Sequence, residues 1–244
     1  MTDRVLAPAV MEYSYMGPLF MFDDYDDFDK VGIDNTTDGN NATHRVVHPV
    51  LMSLWTSNTT DEATFLAEIA MPADVVALAG APQTMWVQYG VPLNGAGNIS
   101  VTLQVFNKTA TRYPEGGFFR FSPCAYEAKA GGSCQTPSWT MHKLGQEMDP
   151  TDVVIGGSRH NHVMSDGGAV ATVQLSGGTT ASVAITSLDT GLVSFGNPTA
   201  FPTPLDDAFD VHAASSLLFD NVWNTNYIMW IGGNFQWRWQ WAFE

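Results

Sequence analysis

The chain has 244 residues, 45 % of them hydrophobic and only 14 % charged, with a net charge of −15 from 25 acidic and 10 basic side chains. The hydrophobic share excludes wholesale disorder, and the length allows a sizeable core in one large β domain or two small ones. A negative field of this size repels phosphate backbones and anionic lipid, which makes nucleic acid and membrane surfaces poor partners.

The N-terminal stretch MTDRVLAPAVMEYSYMGPLF carries Glu12 inside its apolar part and has no basic region ahead of a clean hydrophobic run, so it does not read as a signal peptide. No uninterrupted apolar run is long enough to span a bilayer, and no membrane span is expected. The next stretch, MFDDYDDFDKVGIDNTTDGNNATH (21–44), is acidic, rich in Asn and Gly, and aperiodic. Its carboxylates and amides are hard oxygen ligands of the kind calcium takes, but their spacing is not that of an EF-hand loop. A solvated, peripheral or partly disordered segment over 1–45 is the simpler reading, with the folded domain over 46–244.

Helical periodicity is scarce from there on. The best helical candidate is TTDEATFLAEIAMP, where Thr60 or Asp61 could cap a turn before Phe65; FLAEIAMP also alternates as a strand, and Pro72 ends it in either case. The remaining pattern is short alternating runs broken by Gly, Pro and Asn: MWVQYGV, ISVTLQVF, GFFRFSP, GAVATVQLS, TTASVAITSLD and NFQWRWQWAF. The Gly pair at 177–178 between two of these runs signals a hairpin. Many strands with turn-like spacers and little helix predict an all-β fold, a large antiparallel β-sandwich.

The last run poses a sharper question. Phe235, Trp237, Trp239, Trp241 and Phe243 occupy every second position of FQWRWQWAFE. On a strand they share one face. Burying each contributes roughly 1.5–3 kcal/mol, whereas leaving all five in water creates an apolar patch that invites aggregation. A core strand is expected, not a sugar-stacking platform.

The compartment signals point towards a secretory lumen. Five Asn-x-Ser/Thr sequons occur, at Asn35, Asn41, Asn58, Asn98 and Asn107, none with Pro in the middle. Cys124 and Cys134 flank the polar loop AYEAKAGGS. A disulfide there would close a short ring worth roughly 2–3 kcal/mol in the entropy model; two free thiols are the alternative.

Candidate chemistry is sparse. Glycoside hydrolysis generally needs two carboxyl groups, and no phrase singles out a pair. Glu115 in TATRYPEGG is the best single catalytic candidate, with Arg112 three residues before it. Such an arginine would favour the carboxylate over a general acid, and an Arg–Glu ion pair that pins a turn is the simpler reading of the two. His160 and His162 in SRHNHVMSDGG would point to one side of a strand, with Asp166 nearby as the weak third member of a metal site or, without metal, as part of a substrate-facing loop. In NVWNTNYIMW, Trp223 and Trp230 lie beside Asn224, Thr225 and Asn226. Rings stack on sugar C–H faces while amides meet hydroxyls, so Trp223, Asn226 and Trp230, with the two histidines, are the glycan-contact candidates; the same phrase suits a structural turn. No G-x-S-x-G elbow, P-loop or Rossmann fingerprint is present.

Several phrases are too particular for a generic sandwich. FLAEIAMP, GAPQTMW, VFNKTATRYPEGGFFRF, WTMHKLGQEMDPTDVVIGGSRHNHV and SLLFDNVWNTNYIMW occur in one order, after an early YDDF. This order resembles the C-terminal half of an uncharacterised α-mannosidase-like family related to glycoside hydrolase family 38, over residues 15 to 244. NKTATRYPE and NVWNTNYIMW carry the resemblance most specifically. The closing IGGNFQWRWQWAFE departs from that family's usual ending. The resemblance implies a supersandwich of the galactose-mutarotase type following a barrel-like catalytic domain. In the related mannosidases that barrel holds zinc and the nucleophilic aspartate, so no cofactor is expected in this chain. The implied function is a non-catalytic β-sandwich region that supports or borders a glycan site, with carbohydrate and the catalytic domain as partners. A stand-alone carbohydrate-binding module and a structural or partner-docking domain are the alternatives.

Overall fold

Alternate residues of the apolar runs turn to one side, and the result is a pair of stacked antiparallel sheets. The computed structural model describes residues 9–15, 45–95, 97–111, 115–123, 136–150, 152, 162–165, 168–174, 180–195, 212–220 and 231–243. In chain order the elements are β1 (Ala9–Tyr15), β2 (Arg45–Val47), β3 (Val50–Asn58), β4 (Glu62–Ala70), α1 (Ala73–Ala79), β5 (Thr84–Pro92), β6 (Ile99–Lys108) and β7 (Glu115–Phe121). They continue with β8 (Ser138–Lys143), β9 (Gln146–Met148), β10 (His162–Met164), β11 (Ala169–Gln174), β12 (Thr180–Ser187), β13 (Leu192–Ser194), β14 (Ala214–Asp220) and β15 (Gly233–Phe243).

A six-stranded sheet runs β10-β13-β14-β7-β1-β2, and a nine-stranded sheet runs β3-β4-β5-β6-β15-β12-β11-β8-β9. Every strand pair is antiparallel. The expected all-β antiparallel sandwich is the fold observed, and the short α1 is the helix among the described residues.

The ambiguous FLAEIAMP resolves as strand. Ala63, Phe65 and Ala67 are buried while Thr64, Leu66 and Glu68 are half-buried, a period of two. The helix begins only after Pro72, which stands at its N-cap, and Gly80 closes it in the left-handed conformation at φ 69°, donating its N–H to Val76 O. Val75 and Ala79 of α1 are buried against the sheets.

Ala9–Tyr15 lies within the 1–45 segment set apart as peripheral, yet it pairs with β7 along its whole length and with β2. Composition isolates the acidic stretch that follows but cannot register a single strand ahead of it. The acidic stretch 21–44 itself and the Cys124–Cys134 loop lie outside the described residues.

The sheets meet through aromatic side chains. Phe119 of β7 stacks on Trp239 of β15, with ring centres 4.3 Å apart and planes inclined by 20°. Phe121 meets Trp241 at 5.0 Å and Phe219 meets Trp237 at 6.2 Å. The row FQWRWQWAF thus becomes a core strand in its middle: Trp237, Trp239 and Trp241 are buried, Phe235 is half-buried, and Phe243 is 59 % exposed at the end. Gly117 makes room for this packing, because a Cβ there would stand 2.4 Å from the Phe219 ring.

Candidate functional site

Glu115 opens β7, opposite Tyr15 of β1, and is 0 % exposed. Its carboxylate accepts a hydrogen bond from Lys108 Nζ, and the two form a salt bridge with neither side chain exposed. Lys108 closes β6 and also donates to Thr109 O at 3.2 Å and Ile231 O at 3.1 Å. Its ammonium lies 5.1 Å from the centre of the Phe219 ring. Burial pulls the Lys108 pKa down, while the charge and hydrogen bond of Glu115 push it back up. The arrangement gathers the end of β6, the start of β7 and the approach to β15 around one ion pair. Chemically, Glu115 is placed as a counter-ion beneath the surface. Arg112, the partner expected from spacing, lies outside the described residues.

The other sequence candidates are mostly beyond description. Trp223, Asn226, Trp230, His160 and Asp166 fall outside the described residues, as do Cys124 and Cys134, Asn35 and Asn41. His162 is placed by its backbone, on β10 opposite Ser194 of β13, and its side chain is outside the description. Among the described residues no three His, Cys, Asp or Glu side chains converge in a way that could hold a metal ion; the His160, His162 and Asp166 side chains are not among them. Asn58, Asn98 and Asn107 are all exposed. Asn107 takes a positive φ of 53°, and its N–H donates to Asn234 Oδ1 at 2.8 Å.

Between the sheets lies a small cavity of about 20 Å³ bordered by Phe119, Phe121, Ser165, Thr190, Ser216 and Trp241. Such a volume admits a single water and is too small for a sugar ring.

The outer face of the nine-stranded sheet was not singled out by the sequence. It carries the residues that alternate with the core set. Trp55 of β3 and Trp86 of β5 stack there with ring centres 5.2 Å apart and planes inclined by 20°. Across the sheet, Trp86 stands in register with Gln104, and Gln104 with Gln236; Gln104 Nε2 donates to Gln236 Oε1 at 3.3 Å. The next row is Trp55, Leu66, Gln88, Thr102 and Arg238. The signal existed in the intervening positions of the alternating runs: QWRWQW presents Gln236, Arg238 and Gln240 as surely as it hides three tryptophans.

The chain matches no protein-family model and no curated protein at significance. A solved structure of a protein in glycosyl hydrolase family 38 from Enterococcus faecalis is similar to it, with a TM-score of 0.52 at 5 % sequence identity. The likeness covers 96 % of this chain and 26 % of that one, so this chain spans about a quarter of its neighbour's length. At that identity the shared property is the fold. The fold resembles that of part of this family 38 chain. Among the described residues no helix is long and apolar enough to cross a membrane.

Proposed function

We propose that this chain is the non-catalytic C-terminal β-sandwich region of a glycoside hydrolase family 38-like, α-mannosidase-like protein, supporting or bordering a glycan site whose catalytic groups belong to another domain. The observation that carries the reading is the likeness of nearly the whole chain to a quarter of a family 38 chain. The placement of Glu115 supports it, because a carboxylate buried against Lys108 cannot reach a glycosidic oxygen at the surface. The edge strand β3 adds further support: Val50, Leu51, Met52 and Leu54 are exposed, a surface suited to contact with a neighbouring domain. The parent protein, on this reading, passes through a secretory lumen with Asn58, Asn98 and Asn107 open to glycosylation.

The test is turnover of aryl α-mannosides by the purified chain. None is expected. Activity that copurifies with the chain and disappears in a Glu115→Gln variant, shown by circular dichroism to be folded, would overturn the reading. The stand-alone binding-module alternative gains from one specific observation, the tryptophan pair on the outer sheet face.

A further inference from the structure

We infer that the outer face of the nine-stranded sheet binds a neutral oligosaccharide, with the Trp55–Trp86 stack as its aromatic wall and the Gln/Thr/Ser rows as its hydrogen-bonding floor. The inference deepens the functional reading above, resting on it for the ligand class and adding the surface on this chain that takes the ligand.

The face is organised in transverse rows set by strand register. One row holds Glu68, Trp86, Gln104 and Gln236; the next holds Trp55, Leu66, Gln88, Thr102 and Arg238; the third holds Thr64, Gly90, Ser100 and Gln240. Neighbouring strands lie about 4.8 Å apart and successive rows about 6.7 Å apart, a grid on the scale of a sugar ring. Gln88, Ser100, Gln236 and Gln240 are exposed, and Thr102 and Gln104 half-buried. The amides already orient one another: Gln104 donates to Gln236, and Asn98 Nδ2 donates to Gln240 Oε1 at 3.4 Å.

Charge decides the kind of ligand. The chain carries −15, yet this face presents amides and hydroxyls in its middle. Its cation, Arg238, is neutralised by a two-point bridge to Asp189, Nε to Oδ2 at 3.0 Å and Nη2 to Oδ1 at 2.8 Å. Glu62 and Glu68 sit towards the β4 side. An anionic polymer therefore meets no unpaired cation in these rows, and the exposed apolar side chains that a protein interface needs gather along β3, while the rows across β5, β6 and β15 offer mainly amides and hydroxyls. A neutral polyol fits both parts of the surface: C–H faces on the indoles, hydroxyls on groups that both donate and accept.

The tryptophan pair is the feature an ordinary solvated sheet face does not explain. Such a face is polar in alternation with the core, whereas here Trp55 is 47 % exposed and leans on Trp86 across β4. Each ring fixes the other, so little side-chain freedom remains to be lost on binding.

The experiment is titration calorimetry of the chain with linear mannose oligosaccharides, with tryptophan fluorescence in parallel, on wild type, Trp55→Ala, Trp86→Ala and Gln104→Ala/Gln236→Ala. Wild type is expected to bind, and each tryptophan variant to weaken binding by at least about tenfold, a step of one decade in Kd. Trp55 lies on an exposed edge strand, so Trp55→Ala remains informative even if Trp86→Ala fails to fold. The inference is overturned by no wild-type binding, by binding that Trp55→Ala leaves intact, by loss in Trp223→Ala with Trp55→Ala unaffected, or by sedimentation showing that a second copy covers the face. None of these outcomes involves turnover, so they sink this surface without touching the non-catalytic reading, which stands or falls on the aryl-mannoside assay.

Discussion

Lys108 and Glu115 hold each other in a place that water does not reach, with the ammonium also bound to the carbonyls of Thr109 and Ile231. The pair is seven residues apart in sequence yet joins two sheets, since β6 belongs to the nine-stranded sheet and β7 to the six-stranded one. Removing one partner strands a buried charge, which generally costs roughly 3–5 kcal/mol; replacing both by apolar groups removes the penalty with the charge. Glu115→Leu and Lys108→Met should therefore each lower the unfolding free energy by about that amount in urea titrations. The Lys108→Met/Glu115→Leu double variant should recover at least about 2 kcal/mol relative to the sum of the singles. Strict additivity would show that the two side chains act independently.

A second comparison separates packing from hydrogen bonding in the core. Trp239 Nε1 donates to Ser216 Oγ at 3.0 Å, linking the two sheets, whereas Trp241 Nε1 is buried without an acceptor among the described residues. Both indoles pack on phenylalanines of β7. Trp→Phe removes similar apolar area at either site, but only at Trp239 does it break a hydrogen bond and orphan a hydroxyl. Trp239→Phe should cost about 1–2 kcal/mol more than Trp241→Phe, measured by urea midpoint at constant slope. Equal losses would mean that the Ser216 bond adds nothing net.

These two sites show which parts of the structure the residues announce by themselves. The inward turn of Trp237, Trp239 and Trp241 follows from alternation alone, because a strand has a period of two and exposed indoles are costly. The strand character of Glu62–Ala70 does not, since FLAEIAMP satisfies both periods until Phe65 and Ala67 find a facing sheet. β3 escapes notice because Val50, Leu51 and Met52 are consecutive, and a register shift between Leu51 and Ser53 breaks the alternation further. Arg112 is the neighbour of Glu115 that the sequence shows, whereas Lys108, its partner among the described residues, is delivered by the fold. Trp55 and Trp86 are 31 positions apart and become neighbours only through the registers of β3, β4 and β5. Local period is written in the chain; contacts across register are not.

The Arg238–Asp189 bridge gives a pH signature whose sign is fixed. The side-chain hydrogen bond from Arg238 is the largest influence and holds the Asp189 carboxyl below the usual aspartate range; burial opposes it, and the guanidinium charge adds a smaller push in the lowering direction. With the folded value depressed, the unfolded chain takes up a proton first as the pH falls. Stability from this group is thus fully present above the ordinary aspartate value of about 3.9, and it is lost as the pH drops through the lower folded value. The Asp189 side chain is 24 % exposed and Arg238 51 % exposed, so solvent and salt screen the pair and the effect is small. The other acids of the chain titrate in the same range, and a variant is needed to isolate this one. Urea midpoints of wild type and Asp189→Asn, taken from about pH 6 to about pH 2.5, should differ most at the upper end and converge towards the lower. The gap at pH 6 should also narrow in high salt. A difference that grows as the pH falls would reverse the sign and show that Asp189 gains nothing from its guanidinium.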